Sequence, residues 1–130
     1  MSKILLVDDD ETSRILLSTA LKRAGHDVSG CIDGRAALAA CGERRFDIVV
    51  TDIHMPEMDG IELIRALRRS HSPIRILAIS GGASTGYNYL DAANKIGADR
   101  ILPKPLNIGN FVHVVDELAN HGEVSATASY

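Results

Sequence analysis

The chain has 130 residues, 45% of them hydrophobic and 24% charged, with a formal net charge of −3. That length builds one domain with a real core and is too short for two, and the apolar content excludes a disordered chain. The slightly acidic balance, with no long basic run, argues against direct contact with nucleic acid or an anionic membrane.

Met1-Ser2-Lys3 leads straight into Ile4-Leu5-Leu6-Val7, a buried strand that stops at Asp8 and Asp9. Thr12–Ala24 has a helical period with Ile15, Leu16, Ala20, Leu21 and Ala24 inward, and Gly25 is placed to end it. His26–Ile32 reads as a weaker strand and Asp33–Cys41 as a short helix. Asp47–Thr51 is a third strand, ending on Asp52. Gly60–Arg69 is a helix with Ile61, Leu63, Ile64 and Leu67 inward. Ile74–Ile79 is a fourth strand, followed by Ser80. Tyr87–Ile96 reads as a helix ended by Gly97, and Arg100–Leu102 as a short fifth strand before Lys104. Asn107 caps a last helix whose inward stripe is Ile108, Phe111, Val112, Val115 and Leu118. The tail, residues 122–130, is small and polar without an apolar period, so the expectation is a domain over 1–121 and a flexible end.

Strands alternating with helices give an α/β domain with a parallel sheet, and right-handed crossovers put every strand's C-terminal end on one edge. The runs at Ile4–Val7, Ile48–Val50 and Ile74–Ile79 are apolar enough for strands covered on both faces. Pro103 suits an edge strand. The order 2-1-3-4-5 follows, with its switch-point crevice between strands 1 and 3.

Asp8, Asp9, Asp52, Ser80 and Lys104 all fall at strand ends and converge on that edge. Three acids in a cleft repel one another unless a cation offsets them, and hard oxygen ligands favour Mg²⁺ or Mn²⁺ over zinc. Lys104, rigidly placed between Pro103 and Pro105, supplies a positive charge for an oxyanion, and Ser80 supplies a hydrogen-bond donor. Such a site suits phosphoryl transfer to a carboxylate. Cys31 and Cys41 have neither CxxC nor metal-ligand spacing and read as inert free thiols. With no secretory signal and no apolar stretch of about 18 residues, the expected compartment is the reducing cytoplasm. Arg65, Arg68 and Arg69 read as a solvated helix end that complements the dipole. His26, His71, His113 and His121 read as scattered surface residues.

The segments Leu5-Leu6-Val7-Asp8-Asp9, Asp47-Ile48-Val49-Val50-Thr51-Asp52-Ile53-His54-Met55-Pro56-Glu57-Met58-Asp59-Gly60, Ile79-Ser80-Gly81, Gly97-Ala98-Asp99 and Lys104-Pro105 occur in order at compatible spacings. Over about residues 3–120 the sequence resembles the receiver domain of two-component response regulators, the family with the flavodoxin-like chemotaxis-regulator fold. The resemblance implies a doubly wound three-layer (βα)5 sandwich with Asp52 as phosphoacceptor. It implies Mg²⁺ bound by Asp9, by Asp52, by the backbone carbonyl of His54 and, through water, by Asp8. Lys104 and Ser80 would stabilise the phosphoryl group, and the Lys104–Pro105 bond would be cis. The donor would be a sensor histidine kinase or histidine phosphotransfer protein. The output would be a downstream protein partner, met through the helix at Tyr87–Ile96, the last strand and the last helix. Such a protein catalyses only its own phosphorylation and dephosphorylation.

Departures from the family pattern bear on coupling. Ile101 stands where the family usually has Tyr or Phe, which removes an aromatic rotamer from the coupling between Ser80, Ile101 and Pro105. The Ser80–Lys104 interval is about two residues longer than is common, in a glycine-rich loop from Gly81 to Gly86. Leu106 replaces a frequent Phe as a packing change. His54 is placed to lie over the phosphoryl group. Two other readings stand beside this one. The first is a receiver-shaped interaction module that is never phosphorylated. The second is a haloacid-dehalogenase-type phosphatase, because Asp8-Asp9-Asp10-Glu11-Thr12 matches its first motif with Asp8 as nucleophile. The only later adjacent acids for that reading, Asp116 and Glu117, fall on the last helix.

Overall fold

A computed structural model of the chain describes residues 2–53, 60–70, 73–81 and 95–128. The strands are β1 (Lys3–Val7), β2 (Asp27–Cys31), β3 (Ile48–Asp52), β4 (Arg75–Ser80) and β5 (Arg100–Pro103). The helices are α1 (Glu11–Arg23), α2 (Gly34–Glu43), α3 (Gly60–Arg69) and α4 (Ile108–Ala128). The sheet is five-stranded in the order β2-β1-β3-β4-β5, with every pair parallel.

Alternation along the strands divides the core. Leu5, Val7, Val49, Ile76, Ala78 and Ile101 point to one face, where Ala37 of α2 and Leu63, Ile64 and Leu67 of α3 cover them. Ile4, Leu6, Ile48, Val50, Leu77, Ile79 and Leu102 point to the other, against Leu17 and Leu21 of α1 and Phe111, Val114, Val115 and Leu118 of α4. Two helix layers therefore sandwich the sheet, which is why β1, β3 and β4 read as continuous apolar runs. The partly exposed β2 and β5 are the edges, and Pro103 ends β5.

Side-chain caps set where the helices begin. Asp10 accepts the Ser13 N–H at 2.9 Å, Asp33 accepts that of Ala36 at 2.8 Å, and Asn107 accepts that of Asn110 at 2.9 Å. Gly25 and Gly97 turn the chain with φ of 95° and 91°, values that L side chains rarely adopt. Most of the expected helix at Tyr87–Ile96 lies outside the described residues; Lys95 and Ile96, its described end, are helical.

Several expectations need correction. On α1, Ile15 and Leu16 are 58% and 54% exposed and Ala24 is exposed; Leu17 and Leu21, one turn apart, face the sheet. A run of three apolar residues fits more than one helical phase, and contact with β1 and β2 selects Leu17. On α4, Val114 joins the buried stripe while Ile108 and Val112 are only half-buried. The α4 backbone is helical to Ala128. Gly122 there disfavours a helix by only about 1 kcal/mol, and Ala126 and Ala128 favour one. Arg68 is not a solvated helix end. It donates to the Gly97 carbonyl at 2.8 Å, to the Ile74 carbonyl at 2.7 Å and to Asp99 at 3.0 Å, tying α3 to the starts of β4 and β5. His26 is buried, with Nε2 at 2.7 Å from Asp116 of α4 and Nδ1 accepting the Ser2 N–H at 3.3 Å.

The α1 phase has a direct consequence for stability. Leu17→Ala is expected to lower unfolding free energy by about 2–5 kcal/mol, whereas Leu16→Ala, with its side chain largely in solvent, changes it by about 0.5 kcal/mol or less. Urea melts of the two variants check this, and equal losses would refute the assigned phase.

Candidate functional site

Parallel register sets the site. Val7 pairs with Thr51, Asp52 with Ile79, and Ser80 with Pro103, so the chain leaves all the central strands along one edge. Asp8 follows β1, Asp52 ends β3, Ser80 ends β4 and Lys104 follows β5. One oxygen each of Asp8, Asp9 and Asp52 lies within 4.8 Å of the others. Asp8 and Asp52 are buried, and Asp9 is exposed.

The turn after β1 is held at several points. The Asp8 N–H donates to the Cys31 carbonyl at 3.0 Å, and Asp8 Oδ1 accepts the Asp10 N–H at 2.9 Å. Arg14 Nη1 donates to the Asp8 carbonyl at 2.9 Å. Burial pushes the Asp8 carboxyl above the usual carboxylate range; the Asp10 hydrogen bond opposes this, and the charge of Asp52 adds to it. Asp10 differs. Fully exposed, it is held below the usual range by its hydrogen bond to the Ser13 backbone, and it works as the cap of α1.

Lys104 Nζ donates to Asp52 Oδ2 at 2.6 Å. That hydrogen bond raises the ammonium's pKa above its ordinary value, against the partial burial that would lower it, so the lysine stays charged. The Lys104 N–H donates to the Ser80 carbonyl at 2.8 Å, and the Lys104–Pro105 bond is cis. Ser80 is buried at the same edge. Ile101 is buried in the core beside Ala78, and Leu106 packs against the core. His54 and the residues of the glycine-rich loop after Gly81 lie outside the described residues.

Two contributors escape a reading by motif roles. Gly60 presses on the end of β3: a Cβ there would meet the Asp52 carbonyl and come within 2.8 Å of Ile53 Cα, and its N–H donates to the Ile53 carbonyl at 2.9 Å. Its place at the end of the acidic turn was a visible signal. Arg14 gives none, because its partner is a backbone carbonyl.

Carboxylate oxygens at this spacing suit a hard divalent cation, whose charge would relieve the cost of ionising a buried Asp8 beside Asp52. A carboxylate beside a fixed ammonium also suits attack on an electrophile that develops oxyanion charge. Beside the site a cleft of about 480 Å³ is lined by Asp8, Leu17, Ile79, Gly81, Lys104 and Leu106, among others.

The Asp8 shift has a definite sign. A carboxyl whose pKa is raised on folding binds its proton more tightly when folded, so it costs stability once ionised and the cost disappears as pH falls through the raised value. In the presence of a chelator, Asp8→Asn is expected to raise Tm at pH 7 by roughly 2–5 °C. The gain should shrink toward pH 4. Thermal melts at both pH values check this, and a lower Tm for the variant at pH 7 would contradict it.

A family model described as the response regulator receiver domain matches residues 4–116. The response regulator receiver protein CpdR of Brucella abortus is 34% identical over 118 residues, covering 91% of this chain and 97% of that protein. The transcriptional regulatory protein PrrA of Mycobacterium leprae is 34% identical over 98% of this chain, which spans only 54% of that protein. Among solved structures, the receiver domain of Francisella response regulator 1452 superposes with a TM-score of 0.86 at 30% identity, covering 94% of this chain and 99% of that one. Chemotaxis protein CheY4 of Vibrio cholerae gives 0.80 at 32% identity, covering 91% and 98%. With the 2-1-3-4-5 sheet and the acidic edge already in place, these likenesses show that the chain belongs to the response regulator receiver family of two-component systems.

Proposed function

We propose that Asp52 accepts a phosphoryl group from the phospho-histidine of a sensor histidine kinase or phosphotransfer protein. The observation that carries this is the Lys104–Asp52 contact of 2.6 Å inside a trio of carboxylates at the strand ends. A carboxylate oxygen of Asp52 forms the new O–P bond as the N–P bond breaks, and the departing imidazole keeps the N–P electron pair. Lys104 passes from the carboxylate to a phosphoryl oxygen, and Ser80 donates to another. The loose transition state asks mainly for charge neutralisation and in-line positioning. Asp8, Asp9, Asp52 and the backbone carbonyl of His54 would hold Mg²⁺, with Mn²⁺ as a substitute. The cation supplies positive charge for the phosphoryl oxygens. The cleft of about 480 Å³ gives a donor imidazole room to approach. Water attack on the acyl phosphate later returns the carboxylate, so the protein turns over only itself.

Phosphorylation then biases a two-state equilibrium read by a downstream protein partner. The reading surface would include β5, α4 and the segment Tyr87–Ile96, which the sequence leads one to expect as a helix. Ile101 is 6% exposed within the core, and an aliphatic side chain there has no polar tip to draw it outward. We therefore place the coupling in Ser80 and the chain after it, with Pro105 holding the lysine end. Among the described residues no helix is long and apolar enough to cross a membrane. Burial raises the thiol pKa of both Cys31 and Cys41, as fits unreactive thiols in the reducing cytoplasm.

Intact mass after incubation with a small phosphodonor tests the reaction. One Mg²⁺-dependent phosphoryl adduct on the wild type, absent from Asp52→Asn, is the expected result. No adduct with several donors, including a phospho-histidine protein, would instead make this an unphosphorylated interaction module. An adduct kept by Asp52→Asn and lost by Asp8→Asn would mark Asp8 as the nucleophile. The coupling route has its own test in methyl and amide NMR. On phosphorylation the Gly81 amide is expected to shift several-fold more than the Ile101 methyls, and comparable shifts would place Ile101 in the switch.

A further inference from the structure

We infer that Arg14 is a positioning residue for the acidic site, and that Gly30 is present in β2 to make room for it. The inference rests on the Mg²⁺ reading above. The carbonyl that Arg14 Nη1 holds at 2.9 Å belongs to the peptide joining Asp8 to Asp9. A peptide is planar, so fixing its oxygen fixes the plane and the direction in which the chain enters Asp9. Asp9 is the exposed member of the trio, whereas Asp8 is anchored through its N–H to Cys31 and through its carboxylate to Asp10. Arg14 thus fixes the peptide that enters Asp9, while the Asp10 N–H bond to Asp8 Oδ1 fixes the peptide that leaves it.

Gly30 supplies the independent observation. It lies within β2, opposite Leu6, and its φ lies outside the left-handed range, so its backbone does not call for glycine. Glycine inside a strand weakens it, and often marks a close approach by another group. A Cβ at Gly30 would lie 3.2 Å from Arg14 Cδ, 3.5 Å from Cγ and 3.7 Å from Nε. The arginine stem therefore lies across the bare strand next to Cys31, whose carbonyl receives the Asp8 N–H. The end of β2 supports the turn directly through Cys31 and indirectly through Arg14.

Isothermal titration of Mg²⁺ into the unphosphorylated protein tests this, using Arg14→Ala, Arg14→Lys, Gly30→Val and Arg14→Ala with Gly30→Val. Loss of a group that orients a metal ligand weakens metal binding by about tenfold or more. Arg14→Ala is expected to raise the Kd for Mg²⁺ about tenfold and to shift the Asp9 amide resonance before any metal is added. Arg14→Lys, still able to donate one hydrogen bond, should recover part of the affinity. Gly30→Val should also weaken Mg²⁺ binding although valine suits a strand better than glycine. The double variant should lose less than the sum of the single losses, because the valine then displaces nothing. An unchanged Kd in folded Arg14→Ala, or full additivity in the double variant, overturns the inference. If Arg14→Ala fails to fold, Gly30→Val decides alone, and an unchanged Kd there overturns it. A wild type with no saturable Mg²⁺ binding would overturn the metal reading itself, and this inference with it.

Discussion

Repulsion among Asp8, Asp9 and Asp52 is the constraint to which the rest of the architecture answers. Two carboxylates at the 4.8 Å limit of this cluster oppose each other by about 3–4 kcal/mol at an effective dielectric near 20. Burial of Asp8 and Asp52 adds a desolvation cost. Such a cluster persists only if the groups cannot move apart. Here they are continuations of paired strands, and separating them would require β1 and β3 to slip or part. Those strands bury Ile4, Leu5, Leu6, Val7, Ile48, Val49 and Val50 almost completely, so core packing is what holds the charges together.

Backbone hydrogen bonds convert that packing into position. The Ile53 N–H extends the β3–β4 ladder to the Ile79 carbonyl at 2.9 Å, just past Asp52. Gly60 then returns the chain against the same strand end, so α3 begins where β3 stops. On the far side the Lys104 N–H reaches the Ser80 carbonyl at 2.8 Å, which makes the lysine and the serine neighbours through the backbone before either side chain acts. Under the coupling proposed above, a change felt at Ser80 would reach Lys104 over one hydrogen bond. It need not pass through the packed side chain of Ile101.

Groups that terminate strands were the most legible part of the sequence. An apolar run that stops on Asp8, Asp52 or Ser80 announces both a strand and what stands at its end, and parallel topology then gathers those ends. Helix faces were harder. Ile15, Leu16 and Leu17 are alike in hydrophobicity, and only the position of α1 over the sheet decides which of them is buried. Arg68 and His26 looked like surface residues because their partners are distant in sequence. Arg68 reaches the carbonyls of Ile74 and Gly97, and His26 meets Ser2 and Asp116. Backbone carbonyls leave no mark in a sequence, so a side chain that bonds them resembles one that bonds water. Arg14 and Gly30 were opaque for the same reason.

The distribution of cations fits what each position must do. Arg68 holds two carbonyls and a carboxylate at once, and Arg14 holds one carbonyl while its stem lies across Gly30. A planar fork with several donors is suited to such fixed tasks, since one geometry satisfies it and little motion is tolerated. Lys104 has the opposite task. Its ammonium sits 2.6 Å from Asp52 Oδ2, and in the proposed reaction it would exchange that partner for a phosphoryl oxygen on the same side chain. A compact charge on a flexible stem, with rotatable donors, can follow the developing charge over a short distance without releasing a second contact. Its backbone is fixed by the Ser80 carbonyl, so the motion is confined to the stem. In the proposed reaction the arginines would keep the frame of the site still while the lysine follows the phosphoryl group.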